Sequence, residues 1–325
     1  MGVGFAGYPD VREAGAAARL RNLKNLRDHG MTTTWGPGHA SYYRGKLKMD
    51  AVERFVKQYH DAGFDGNYFV AYGSGQIYGT KTREQLVDAY TQYCRRLAEL
   101  GRTKLMLSLA DEPSRSRESG AHEHVSVTIA RLKKYQGIPG LMTSGYYSHL
   151  EELIPLMEVS ILGQHDAEFI RKVKAAGKRC WTYGAGPCRF RFGFYAAKLK
   201  RAGVEGTVAW HYQIAQGDVY NSLDGREEDH SMAFPLPDGV INDVAFDRVR
   251  EGADDFRYTT TLRKLIAEKK GTPAARRAQK LVDEILSRIT LGRSSTFTDL
   301  DADETNRKCA EYRTRIIEAI LSLKK

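Results

Sequence analysis

The strongest constraint on this chain is a repeating pattern. A short apolar run is followed by an amphipathic helix, and the pair recurs eight times, seven of the helices falling within about 210 residues. The apolar runs are Gly2–Tyr8, Met31–Trp35, Asn67–Tyr72, Lys104–Ala110, Gly140–Ser144, Val159–Gln164, Arg179–Tyr183 and Gly206–His211. Helices are predicted over 11–29, 50–62, 82–100, 121–135, 148–157, 167–176 and 191–202, with an eighth over 244–269. Leu20, Leu23 and Leu26 share one face of the first, and Val52, Phe55, Val56 and Tyr59 one face of the second. Thr82 and Gln85 have the spacing of a capping box, and Gly30, Gly63 and Gly101 are helix stops.

Strands alternating with helices form a parallel sheet with the helices outside it. Eight such units are the count of a closed barrel. The expected fold is therefore α/β, a (β/α)8 TIM barrel with a C-terminal helical extension. An open doubly wound sheet competes, but often carries a glycine-rich phosphate turn after its first strand; Gly2-Val3-Gly4 precedes none. Past Tyr212 the pattern breaks into a long loop over 213–243, then helices over 244–269, 273–290 and 304–323. The expected organisation is a catalytic barrel over 1–270 and a helical pair over 271–325 packed on it.

Composition removes several function classes. No apolar run nears the roughly 18 residues of a membrane span. The start, MGVGFAGYPD, lacks the basic and long apolar regions of a signal peptide. Cys94, Cys180, Cys188 and Cys309 are too scattered for a disulfide framework. The formal net charge is +10, but the basic residues of 263–293 interleave with Leu, Ile and Ala as on a solvated helix face, and no nucleic-acid motif accompanies them. His122-Glu123-His124 invites a metal reading, yet i and i+2 side chains diverge on a helix and no third ligand is evident. No metal, cofactor, membrane or nucleic-acid partner is expected. Asp229-His230 lies in the long loop and reads as solvated, the alternative being a lid that reaches the rim.

In this fold the chemistry sits at the C-terminal ends of the strands. Those ends carry Tyr8, Trp35, Tyr72, Tyr146, His165, Asp166, Trp181, Tyr183, Trp210 and Tyr212, a set that includes all three tryptophans. Sugars bind by stacking their C–H faces on aromatic rings, so these residues are candidate substrate contacts. The fourth strand ends in Asp111-Glu112-Pro113, two adjacent carboxylates where solubility requires none. A helix-capping pair is the plain alternative. Most glycosidases use two carboxylates, and in the large retaining barrel class the second ends strand seven. Here that end, Trp181-Thr182-Tyr183-Gly184, has none. Either Asp166 or Asp111 serves as the second carboxylate on a sugar without an acetamido group, or the substrate's own 2-acetamido oxygen attacks the anomeric carbon. A barrel that binds carbohydrate without cleaving it is a third reading. In the substrate-assisted case Glu112 is the acid and Asp111 orients the acetamido N–H.

The chain resembles glycoside hydrolase family 123 and its uncharacterised relatives. The resemblance rests on Leu109-Ala110-Asp111-Glu112-Pro113, on Trp210 closing the eighth strand, on Phe234–Gly239, and on the segment Asp247–Tyr258, which is similar to an R-x-G-x-D-D-Y-x-Y helix. It implies a retaining β-N-acetylgalactosaminidase using substrate-assisted catalysis, with Glu112 as acid/base, Asp111 orienting the acetamido group, and Tyr183 or Tyr146 on the acetamido oxygen. Asp254-Asp255 is expected to tie its helix to the barrel through Arg248 or Arg250.

Overall fold

A computed structural model describes residues 2–5, 15–36, 40–66, 68–72, 77–102, 104–116, 123–184, 188–209, 212–214, 230–292 and 296–325. The first strands are β1 (Gly2–Phe5), β2 (Thr33–Gly36), a hairpin of β3 (Ser41–Tyr43) and β4 (Lys46–Lys48), β5 (Tyr68–Tyr72) and β6 (Lys104–Asp111). They are followed by β7 (Leu141–Tyr147), β8 (Val159–Leu162), β9 (Arg179–Tyr183) and β10 (Gly206–Ala209). The helices are α1 (Ala16–Asp28), α2 (Asp50–Asp61), α3 (Arg83–Glu99), α4 (Val125–Tyr135), α5 (Ala167–Ala175), α6 (Ala196–Arg201), α7 (Val244–Glu268), α8 (Pro273–Ser287) and α9 (Ala302–Lys324).

Eight parallel strands close a barrel in the order β1-β2-β5-β6-β7-β8-β9-β10, with Gly2 opposite Gly206 at the seam. The predicted barrel with C-terminal helices is the fold observed. Strand β6 is buried on both faces, which is why Leu105–Ala110 reads as one apolar run rather than an alternation. Thr82 caps α3 with Gln85, as its sequence predicts.

Two crossovers differ from expectation. The connection after β7 is a single 3-10 helix, Glu151–Leu156, with Pro155 inside it. Proline lacks the N–H and its ring obstructs the preceding turn, so a longer α-helix is closed to this segment. The crossover after β9 opens as a π-turn, Arg191–Tyr195, before tightening into α6. Here Gly252 of α7 packs against the preceding turn so closely that a Cβ would lie 2.4 Å from the Arg189 carbonyl oxygen. Gly193 would put one 3.2 Å from the Gly252 carbonyl oxygen.

That contact explains the Asp254-Asp255 segment, with a correction. Asp255 is the tie, but its partners are not Arg248 or Arg250. It is wholly buried and accepts from Arg189 Nε at 2.7 Å and from Arg313 of α9. Asp254 faces outward and pairs with Arg257 at 2.9 Å. Phe297 and Tyr312 pack on Phe190 and Phe194, joining the last helices to the same turn.

Two cores result. An outer one lies between sheet and helices. An inner one fills the barrel with Trp35, Val70, Met106, Tyr146, Ile161, Trp181 and Val208. Among the described residues no helix is long and apolar enough to cross a membrane.

Candidate active site

The site is built on a defect in one strand pair. Ser108 of β6 stands opposite Ser144 of β7, but the next matched pairs are Ala110 with Gly145 and Asp111 with Tyr146. One residue, Leu109, is extra. Alternate residues of a strand face opposite sides, so a regular β6 that sends Met106 and Ser108 inward would send Asp111 outward. The bulge resets the alternation and puts Asp111 on the face of Tyr146, toward the barrel interior. Gly145 makes the defect possible, because a Cβ there would lie 2.4 Å from that of Ala110. The Leu109 carbonyl finds Arg131 Nη1 of α4 at 3.0 Å. Arg131 is held in turn by Glu123, so the middle residue of the His-Glu-His triplet supports the bulge.

Glu112 follows with φ +42°, in the left-handed region where a Cβ crowds the neighbouring carbonyl and the backbone is strained. Its N–H donates to the Tyr146 carbonyl at 3.0 Å, which fixes the turn, and its side chain is exposed. The carboxylate pair caps no described helix. The helix after β6 starts at Val125, and His124 caps it, accepting from the Ser126 N–H.

Opposite the pair, at the end of β9, is Tyr183. Burial pushes its hydroxyl well above the ordinary tyrosine range, and the nearby charges of Glu112 and then Asp111 add to the rise. Asp111 shares the face of Tyr146, and the Tyr146 ring meets that of Tyr183, so these three stand at one end of the barrel. The Tyr183 ring lies 4.4 Å from that of Tyr146, which is 5.8 Å from that of Trp35. Tyr183 is anchored from behind: His165 Nε2 lies 2.9 Å from its carbonyl oxygen, and His165 Nδ1 lies 3.0 Å from the Tyr195 hydroxyl in the π-turn.

The other predicted contacts separate into groups. Trp35 and Trp181 do not form a rim; both are buried in the barrel interior. Trp181 lies low, two residues below Tyr183 on β9, with Gly206 against its indole and Tyr68 edge-on at 6.2 Å. An eight-stranded barrel has room only for side chains to fill it, and these rings do so. Tyr212 leaves the site altogether. It is wholly buried between α1 and α7, accepting from Asn25 Nδ2 at 2.7 Å and packing on Phe246. Asp166 caps α5 through the Phe169 N–H at 2.6 Å; its second oxygen is buried with no partner among the described residues. His165 is buried as an anchor rather than a surface contact. For Tyr72 the backbone lies at the end of β5. Tyr8, Trp210 and Asp229 fall outside the described residues, where only the backbone of His230 is described, pairing as a strand with Ile214.

Arg131, Gly145 and the bulge are parts that sequence reasoning missed. Gly145 beside two tyrosines was a signal, since glycine inside a strand marks a bulge or a close approach. Among the described residues no group of three or more His, Cys, Asp or Glu is arranged to hold a metal.

No family model matches the chain. No curated protein matches it either. Among solved structures, the catalytic domain of a β-amylase from Paenibacillus polymyxa is 10% identical, with a TM-score of 0.43 over 65% of this chain and 92% of that one. A GH113 β-1,4-mannanase is 10% identical, with a TM-score of 0.40 over 78% and 98%. A putative dihydrodipicolinate synthetase from Pseudomonas aeruginosa is 13% identical, with a TM-score of 0.38 over 98% and 99%. The three differ in chemistry, and at such scores none passes from them to this chain.

Proposed function

We propose that the chain is a retaining glycoside hydrolase acting on β-linked N-acetylhexosamine, N-acetylgalactosamine first, by substrate-assisted catalysis. One observation supports the reading: the bulge turns Asp111 onto the face of Tyr146, whose ring meets the half-buried Tyr183, while β9 ends without a carboxylate.

The roles follow from position. Glu112, exposed at the mouth, protonates the leaving glycosidic oxygen. The 2-acetamido oxygen attacks the anomeric carbon from the opposite face and closes an oxazolinium ring. Asp111, turned inward by the bulge, accepts from the acetamido N–H and offsets the positive charge. Tyr183, whose hydroxyl keeps its proton at neutral pH, donates to the acetamido oxygen and aims it. Glu112 then takes a proton from water as it opens the ring, so the sugar leaves with its configuration retained.

Chromogenic β-glycosides test this. The N-acetylgalactosaminide should be cleaved, inhibited by its thiazoline analogue, and turned over about 10²–10⁴-fold more slowly by Glu112→Gln. Turnover confined to galactosides without the acetamido group would overturn the mechanism.

A further inference from the structure

The β3–β4 hairpin carries a surface that the catalytic reading does not use. Its turn is Arg44-Gly45, with φ +50° and +76°, the pair of left-handed residues that a two-residue hairpin turn requires. A third short segment joins it: Tyr78 bridges in parallel to Ser41, giving its N–H to the Ala40 carbonyl at 3.1 Å and accepting the Tyr42 N–H at 2.7 Å. Gly79 permits that approach, since a Cβ there would lie 2.1 Å from the Tyr42 carbonyl oxygen. The inner face is clamped to α3 by the Tyr42 hydroxyl on Asp88 at 2.5 Å and by Gln92 on the Gly45 carbonyl at 2.9 Å.

The outer face is aromatic and basic. Strand register puts Tyr43, Lys46, Lys48 and Tyr78 on it together. Tyr43 is 66% exposed and Tyr78 61%, the two most exposed aromatic side chains among the described residues. One residue step apart across the ladder and two along it, their Cα atoms are about 8 Å apart. The Arg44 guanidinium lies 5.2 Å from the Tyr43 ring centre, and among the described residues no carboxylate pairs with Arg44, Lys46 or Lys48. The segments leave β2 and β5 at the barrel end that carries Asp111 and Glu112.

We propose that this face binds an acidic glycan chain, one bearing uronate or sulfate groups, and holds it beside the mouth. Two exposed rings stack on two sugars of one chain, and three unneutralised cations match anionic groups between them. The proposal rests on the carbohydrate reading of the mouth, but its test is independent of turnover.

Titration calorimetry on the full chain carrying Glu112→Gln compares three probes: a sulfated chondroitin hexasaccharide, a neutral chitin-type hexasaccharide and a thymidine hexanucleotide. The sulfated chain should bind best. Tyr43→Ala with Tyr78→Ala should weaken it about tenfold or more, as should Lys46→Gln with Lys48→Gln; each factor of ten is about 1.4 kcal/mol. In a chain that keeps the native Glu112, cleavage of small chromogenic glycosides by the same tyrosine variant should be unchanged. No binding, binding indifferent to the tyrosines, equal binding of the neutral chain, or tighter binding of the oligonucleotide would each overturn the proposal. Binding without any hydrolysis by the native chain would leave it standing and remove the catalytic reading instead.

Discussion

Glu112 occupies a backbone conformation that asparagine or glycine would adopt with less strain. A left-handed residue costs about 1–2 kcal/mol relative to its ordinary conformation. At φ +42° Glu112 bears that cost while its side chain stands exposed and makes no stabilising ion pair among the described residues. Strain retained without a structural return is the pattern of a residue kept for its chemistry. Glu112→Asn should therefore abolish turnover while leaving thermal stability unchanged or raised, by up to about 1 kcal/mol. Glu112→Gln keeps the strain and should melt with the native chain. Differential scanning calorimetry on the three proteins checks this. A loss of more than about 1 kcal/mol in Glu112→Asn would mean that the carboxylate is a structural tie.

Elements are held to one another by charged pairs whose strength depends on pH. The Arg315 guanidinium beside Glu284 holds that carboxyl below its usual range and joins α9 to α8 at 2.8 and 2.7 Å. Arg96 does the same to Glu53 between α3 and α2. A carboxylate whose folded pKa is lowered adds stability above its unfolded value, and that stability is lost as pH falls through the folded one. The model-peptide value for glutamate is 4.5, so stability should hold from pH 7 to about 5 and decline below it. These pairs are half exposed and each contributes only about 0.2–1 kcal/mol. Glu284→Gln should cost that much at pH 7 and flatten the decline between about pH 5 and 3; an identical slope would show that the pair contributes nothing. At this scale the sequence is an uneven guide. The strand–helix alternation was plain, because burial on both faces of a parallel sheet writes itself as apolar runs. The bulge at Leu109 was not, because one unpaired residue leaves the composition of β6 unchanged. The aromatics showed which strands carry rings but not their depth, so Trp181 read as rim when it fills the lumen. The hairpin was legible in principle: Ser41–Lys48 alternates around Arg-Gly, yet its short strands fall inside a loop-like stretch.

Across the whole molecule, the C-terminal helices and the site are linked by continuous contacts. The backbone of Gly292, beyond α8, bonds the Tyr195 hydroxyl; Tyr195 meets His165; His165 holds Tyr183. Arg313 of α9 supplies one of the two guanidiniums around the buried Asp255, and Lys198 of α6 reaches the Leu286 carbonyl at 2.9 Å. The expected boundary at residues 270 and 271 would cut the bonds made by Gly292, Arg313 and Leu286. Ending the chain after Lys270 would uncover the faces now packed on Leu286, Cys309, Tyr312 and Ile316, each buried apolar side chain being worth roughly 1.5–3 kcal/mol. It would also leave Asp255 short of a partner, a further cost of about 3–5 kcal/mol. Together these exceed much of the 5–15 kcal/mol on which a domain of this kind subsists. The shortened chain should therefore keep far-ultraviolet dichroism, lose near-ultraviolet dichroism and bind hydrophobic dyes, while the full chain melts in one calorimetric transition. Two resolved transitions in the full chain, or a cooperatively folded chain of 270 residues, would establish barrel and helices as independent units. They would also mean that Tyr183 is held without the contact to Gly292.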